Sequence, residues 1–293
     1  MPTNAERRAA AKRNLDRQVQ QRAEAARKQR LILTIVGASA AVLLIAAVVF
    51  VVLRDKDPGN VNASDIASSS ASQSADSAEK PMAGPLPKFT ASPKLGADCQ
   101  YPKAQAASKA VEAPRSGKVP TDPAEISVSM MTDQGPIGLM LNNAQAPCTV
   151  NSFVSLAAKD YFKDTQCHRL TTSPTLSVLQ CGDPTGNGTG GPGYEFDNEY
   201  PTDQYAAGDP AARQPVTYPR GAVAMANAGP GTNGSQFFLV YKDSMLPPQY
   251  TVFGRIQDDG LATLDKIAAA GVRGGGEDGA PVTTVTIKSV RAD

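Results

Sequence analysis

The chain has 293 residues, with 29 Lys and Arg against 28 Asp and Glu, a formal net charge of +1. Such a balance excludes a global field that would gather nucleic acid, and no nucleic-acid partner is expected. The length allows one or two domains.

The basic residues are concentrated at the start, where residues 1–30 hold nine Lys and Arg against three acids. Leu31 to Leu53 then runs 23 residues without a charge or a proline. As a helix rising about 1.5 Å per residue it covers a hydrocarbon core of about 30 Å, so residues 31–53 are expected to span a membrane once. A cleaved signal peptide is the closest alternative, but its apolar stretch is usually about 7–15 residues. A signal anchor fits better. After the span, residues 54–78 hold two cations, Arg54 and Lys56, among four acids. The positive-inside rule therefore leaves residues 1–30 cytoplasmic and everything beyond Arg54 outside the cell membrane.

Residues 54–123 read as an extracytoplasmic linker. Asn62–Glu79 is almost wholly Ser, Ala, Asp and Gln, and Pro81–Pro93 carries four prolines. Neither stretch can bury enough apolar surface to offset the entropy of ordering.

The folded unit, residues 124–293, is expected to start near Ala124. Ile126–Met130 alternates with period two, Thr132–Gly135 forms a turn, and Ile137–Leu141 resumes as a strand. Thr149–Tyr161 is spaced as a helix, with Val150, Phe153, Val154, Ala157 and Ala158 on one face and Pro147 just before it. Short strands follow near Cys167–Leu170, Leu176–Cys181, Ala222–Met225, Gln236–Val240 and Thr251–Arg255. A second helix is expected at Leu261–Ala270, ended by Gly271, and Val282–Val290 closes the chain as a strand. Many short strands with two helices indicate a mostly β fold, a β-barrel with helices at its ends.

All four cysteines lie in the part assigned to the outside, where disulfides form and persist. Four cysteines allow three connectivities. Cys167 and Cys181 flank two strands and a turn, which suits a cross-strand bridge and leaves Cys99 for Cys148; free buried thiols are the alternative. No metal site is expected, since there is no Cys-x-x-Cys pair and His168 is the single histidine.

Two regions, Phe162–Asp183 and Met225–Gly254, resemble the signature regions of the cyclophilin-type peptidyl-prolyl cis–trans isomerases. The string Met225-Ala226-Asn227-Ala228-Gly229-Pro230-Gly231-Thr232-Asn233-Gly234-Ser235-Gln236-Phe237-Phe238 departs from the usual pattern only at Gly231. The resemblance implies an eight-stranded antiparallel barrel capped by two helices, a groove for proline-containing polypeptides, and no cofactor. The basic head, anchor and cysteine-bearing domain are similar to actinobacterial members.

By the same resemblance Arg169, in Cys167-His168-Arg169, matches the catalytic arginine. Gln180 matches the glutamine that orients it, and Asn227 the residue whose backbone binds the substrate. Ala226, Ala228, Gln236 and Phe238 match the pocket and groove wall, with Phe238 as the floor. Thr189 falls in the glycine-rich loop beside the groove. About three extra residues lie between Arg169 and Gln180, so the apolar pocket positions fall near Leu176 and Val178. The rim tryptophan and histidine of the family appear as Met245 and Tyr250, so cyclosporin-like inhibitors are expected to bind less tightly.

The expected function is peptidyl-prolyl cis–trans isomerisation that assists exported proteins at the outer membrane face. A non-catalytic module binding proline-containing peptides or an envelope partner is the alternative. A hydrolase or transpeptidase would need His168 beside a free thiol, yet the side chain of Cys167 would point to the opposite strand face.

Overall fold

The computed structural model describes residues 83–293. The basic head, the expected span at 31–53 and the first part of the linker lie outside the described residues. Among the described residues no helix is long and apolar enough to cross a membrane.

In chain order, β1 (Gly84–Pro85) precedes the hairpin of β2 (Glu125–Thr132) and β3 (Gly135–Asn142). Helix α1 (Pro147–Ala158) leads to β4 (Arg169–Thr171), β5 (Val178–Cys181) and β6 (Val216–Tyr218). Then come β7 (Ala222–Met225), β8 (Phe237–Val240), β9 (Ser244–Leu246) and β10 (Val252–Ile256). Helix α2 (Asp258–Ala270) is followed by β11 (Asp278–Gly279) and β12 (Ile287–Ala292).

Nine of these strands form one curled antiparallel sheet in the order β11-β4-β5-β8-β7-β10-β3-β2-β12. The count exceeds the expected eight by the two-residue β11. The chain before β4 also bonds to the chain entering β12: Cys167 N donates to Val285 O at 2.9 Å, and Ile287 N to Thr165 O at 2.9 Å. The expected strands at Cys167–Leu170 and Val282–Val290 are therefore shorter, since their outer parts are spent on these irregular bonds. A second, three-stranded sheet has the order β1-β6-β9.

Period two decides what each face touches. Val128 and Met130 of β2 and Ile137, Leu139 and Leu141 of β3 point into the main core. There Phe153 of α1 meets Phe162, Phe237 and Phe253 at ring distances of 5.0, 5.3 and 5.3 Å. Ala158 is exposed and Leu156 is buried, so the inward face of α1 is rotated slightly from the expected one. Strands β7 and β8 have no exposed face, with every residue buried. Phe237 and Leu239 enter the main core, while Phe238 and Val240 join a separate apolar cluster with Val178, Val216, Tyr218, Ala222 and Ala224.

Helix α1 begins without a capping side chain of its own, because its N-cap is Ala146. Glu199, remote in sequence, fills the role: its carboxylate accepts from Cys148 N at 3.0 Å, Thr149 N at 2.8 Å and Thr149 Oγ1 at 2.7 Å. Burial is the largest influence on this carboxyl and raises it to about 7 despite those bonds.

The linker boundary needs correction. Residues 83–123 lie against the domain, with Cys99, Tyr101 and Val119 buried in the main core. A disulfide joins Cys99 to Cys148, and Tyr101 Oη donates to Cys148 O at 2.7 Å. Lys109 Nζ donates to the carbonyls of Asp160, Tyr161 and Lys163. These contacts are single residues spaced irregularly along a proline-containing chain, so no hydrophobic period announces them.

Candidate active site

Strand register brings three of the candidate residues, Arg169, Gln180 and Phe238, into one row. Arg169 pairs with Gln180, Gln180 with Phe238, and Phe238 with Ala224 across β4, β5, β8 and β7. Directly opposed residues share a face, and neighbouring strands lie about 4.8 Å apart. Phe238 therefore stands about 10 Å from Arg169 along the row, with Gln180 between.

A chain of polar contacts runs the same way. Arg169 Nη1 donates to Gln180 Oε1 at 3.1 Å, and Gln180 Nε2 donates to Gln236 Oε1 at 2.9 Å. Gln236 Nε2 donates in turn to the carbonyls of Gly188 and Gly190, each at 3.0 Å. The glycine-rich loop so anchors the amides that orient the arginine. Asp183 holds that loop, accepting from Thr185 N at 2.7 Å and Gly188 N at 2.6 Å. Burial acts to raise the Asp183 carboxyl, but the bonds from Thr185, Gly190 and Gly188 together outweigh it and leave it lowered. Gly190 must lack a side chain, since a Cβ there would stand 2.0 Å from Asp183 Oδ1.

Arg169 has a further partner that the sequence did not suggest. Its Nε and Nη2 donate to the two carboxylate oxygens of Asp278, both at 2.7 Å. That pairing holds the guanidinium above its ordinary value and the Asp278 carboxyl below its own.

Phe238 is 5% exposed. Tyr250 stands edge-on to it at 5.8 Å, and Tyr218 lies 6.4 Å away. Val178 belongs to the same cluster, and the half-buried Leu176, Ala226, Tyr250 and Leu246 pack against it. Met245 is half-buried on β9 opposite Thr217 and is outside that cluster; its neighbour Leu246 makes the apolar contact instead.

A groove of about 500 Å³ runs beside the row. Gln180, Thr189, Ala226, Asn227, Ala228 and Gln236 line it, as do Ala104, Gln105 and Ala106 of the N-terminal extension. The extension was not expected to reach the site, since nothing in that stretch resembles a groove wall. The Asn227 side chain is tied to neighbouring loops: Nδ2 donates to Gln249 O at 2.9 Å and to Asn233 Oδ1 at 3.1 Å. A second, more open hollow of about 390 Å³ is bounded by His168, Arg169, Gln180 and Asp278.

The second disulfide joins Cys167 to Cys181 and so staples the strands that carry Arg169 and Gln180. All four cysteines are bridged, which removes the thiol a Cys/His hydrolase would require. His168 has no hydrogen-bond partner on either ring nitrogen, and its burial lowers its pKa.

Residues 127–292 match the family model described as cyclophilin type peptidyl-prolyl cis-trans isomerase/CLD. The chain belongs to the cyclophilin-type isomerase family. It is 59% identical to the probable peptidyl-prolyl cis-trans isomerase B of Mycobacterium leprae (strain TN) over 295 residues, covering 100% of each chain. It is 70% identical over 212 residues to the probable peptidyl-prolyl cis-trans isomerase B of Mycobacterium tuberculosis (strain ATCC 25618 / H37Rv), covering 72% of this chain and 69% of that one. These mycobacterial relatives agree with the actinobacterial likeness expected from the sequence. A crystal structure of a Cryptosporidium parvum cyclophilin type isomerase, obtained in the presence of the dipeptide Ala-Pro, is 31% identical with a TM-score of 0.45. It covers 57% of this cyclophilin and 98% of its own chain.

Proposed function

We propose that this isomerase acts on proline-containing chains at the outer face of the cell membrane, with Arg169, Gln180 and Phe238 as the centre of its site. The observation that carries the proposal is the single row these residues form across β4, β5 and β8. Rotation about an X–Pro bond faces a barrier of about 18–20 kcal/mol, because the nitrogen lone pair is shared with the carbonyl. A catalyst must hold the ring, leave the preceding carbonyl free to swing, and favour a nitrogen that keeps its lone pair. Phe238 with Val178, Leu176 and Tyr250 supplies an apolar seat for the ring. The Arg169 cation, steadied by Gln180, donates to the prolyl nitrogen as resonance is lost, so it binds the twisted state better than either planar one. The backbone of Asn227, with Ala226, Ala228, Gln236 and Thr189, holds the residues before the proline along the groove. Met245 lies at the rim, where the missing tryptophan weakens cyclosporin-like inhibitors. The chemistry requires no metal or cofactor.

The curled sheet reads as the family's closed eight-stranded barrel with β11 as an added edge. The bonds that Thr165 O accepts from Ile287 N and that Cys167 N donates to Val285 O support that closure. The anchor at residues 31–53, the cytoplasmic head and the outward-facing domain rest on the charge and hydropathy pattern. Two paired disulfides in the domain suit an oxidising compartment. Exported chains that wait tens of seconds for X–Pro isomerisation are the fitting clients.

The test is a protease-coupled isomerisation assay on the full chain in detergent micelles, wild type beside Arg169→Ala. The variant is expected to lose roughly 100-fold in kcat/KM, as when a preorganised donor is removed. Equal rates in both would overturn the role given to Arg169, and no rate above the spontaneous one in wild type would leave only peptide binding. Protease added to intact cells is expected to release the domain; full protection would refute the orientation.

A further inference from the structure

We propose that Asp278 is a positioning residue for the isomerase reaction, fixing the plane and the free donors of the Arg169 guanidinium. The inference rests on the role assigned to Arg169 above.

A guanidinium carries five N–H donors in one rigid plane. In this structure three are committed. Nε and Nη2 each donate one proton to Asp278 at 2.7 Å, and Nη1 donates one to Gln180 at 3.1 Å. Two N–H groups remain, one on each terminal nitrogen. Because the plane is set by a two-point contact on one edge and a third contact on Nη1, those two donors have a defined direction. Removing Asp278 leaves the single bond to Gln180, about which the head can pivot.

The carboxylate is itself placed by the backbone. β11 pairs with β4 through Asp278 opposite Thr171 and Gly279 opposite Leu170, and Thr172 N donates to Glu277 O at 2.8 Å. Arg169 lies two residues from Thr171 and is thus the diagonal neighbour of Asp278 on the same face, within reach of a long side chain. Gln180 sits directly opposite Arg169 on the other flank. The arginine is therefore held between an acid on one neighbouring strand and an amide on the other. The acid is 109 residues away in sequence, next to a glycine-rich turn.

A structural role alone would be a weak reason for this pair. Side-chain exposures of 37% for Arg169 and 55% for Asp278 place it at the surface, where ion pairs contribute little to stability. Its two-point geometry matters for direction more than for holding the fold.

The test is a double-mutant cycle on the full chain in detergent micelles, reading kcat and KM separately over a range of prolyl peptide concentrations. Asp278→Asn is expected to lower kcat by about tenfold with KM within about twofold of wild type, the scale of cost when a reacting group is misaligned. Asp278→Glu, which keeps the carboxylate, is expected to recover part of that loss. In an Arg169→Ala background the Asp278→Asn change is expected to cost nothing more, because its effect passes through the arginine. The Arg169 Nε–H resonance, assigned by its loss in Arg169→Ala, should shift or broaden in Asp278→Asn. Unchanged kcat in Asp278→Asn, or an equal loss with and without Arg169, would overturn the proposal. Arg169→Ala with wild-type activity would instead overturn the role of Arg169 itself, so the two failures are distinguishable.

Discussion

Replacing Cys99 and Cys148 together by alanine removes the bridge that ties the N-terminal extension to the start of α1. The residues are 49 apart in sequence, and closing a loop of that length lowers the entropy of the unfolded chain by an amount worth about 4 kcal/mol. Domains of this kind have about 5–15 kcal/mol in total, so the loss is a large fraction. With a urea slope of about 2 kcal/mol per M, the midpoint should fall by about 2 M. The chain has no tryptophan, so far-UV circular dichroism and tyrosine fluorescence are the signals to follow, under non-reducing conditions. The corresponding Cys167 and Cys181 variant, separated by 14 residues, should lose less, about 3 kcal/mol. A fall below about 0.5 M for the first pair would refute the reasoning. It would mean that Tyr101, Val119 and the Lys109 contacts hold the extension without help from the bridge.

Two more outcomes follow from particular side chains. Burial raises the Glu199 carboxyl from 4.5 to about 7, so the folded state favours its neutral form. Its contribution is fully present below pH 4.5 and is lost as pH rises through about 7, a change of about 3 kcal/mol. The stability difference between wild type and Glu199→Gln, taken from urea midpoints at several pH values, should follow that slope; a pH-independent difference would contradict it. Met245→Trp should raise cyclosporin potency about tenfold, the scale of one added aromatic contact. Equal inhibition of both proteins would show that the rim residue is not what sets inhibitor affinity.

The grouping of Arg169, Gln180 and Phe238 in the candidate site is legible because these residues lie on locally connected segments. Arg169 and Gln180 flank one short hairpin, and Met225–Phe238 is a continuous string, so neighbours in sequence are neighbours in space. What stayed hidden acts across long separations. Asp278 reaches Arg169 from a two-residue strand too short to show a period, and Glu199 caps a helix 50 residues before it. The extension has the composition of a linker, poor in apolar residues, yet a disulfide and a few buried side chains suffice to dock it. Met245 matches the family's rim tryptophan by alignment, and on β9 it lies outside the apolar cluster around Phe238. The cluster contact is instead made by Leu246, since adjacent strand residues face opposite ways. The ends of β4 and β12 differ from the expected ones where irregular bonds, such as that from Cys167 N to Val285 O, replace regular pairing.

Strands β7 and β8 are buried on both sides, one face in the main core and the other in the apolar cluster around Phe238. An ordinary strand of a half-wetted sheet can vary every second residue at little cost, because half its side chains meet only water. These two have no silent positions. An even-numbered change disturbs the cluster around Phe238 and an odd-numbered change the main core, so two separate packings constrain the same few residues alternately. With the site as proposed, changes at Leu176, Met245, Leu246 or residues 104–106, each part-buried or exposed, are expected to alter peptide preference at less cost to the fold.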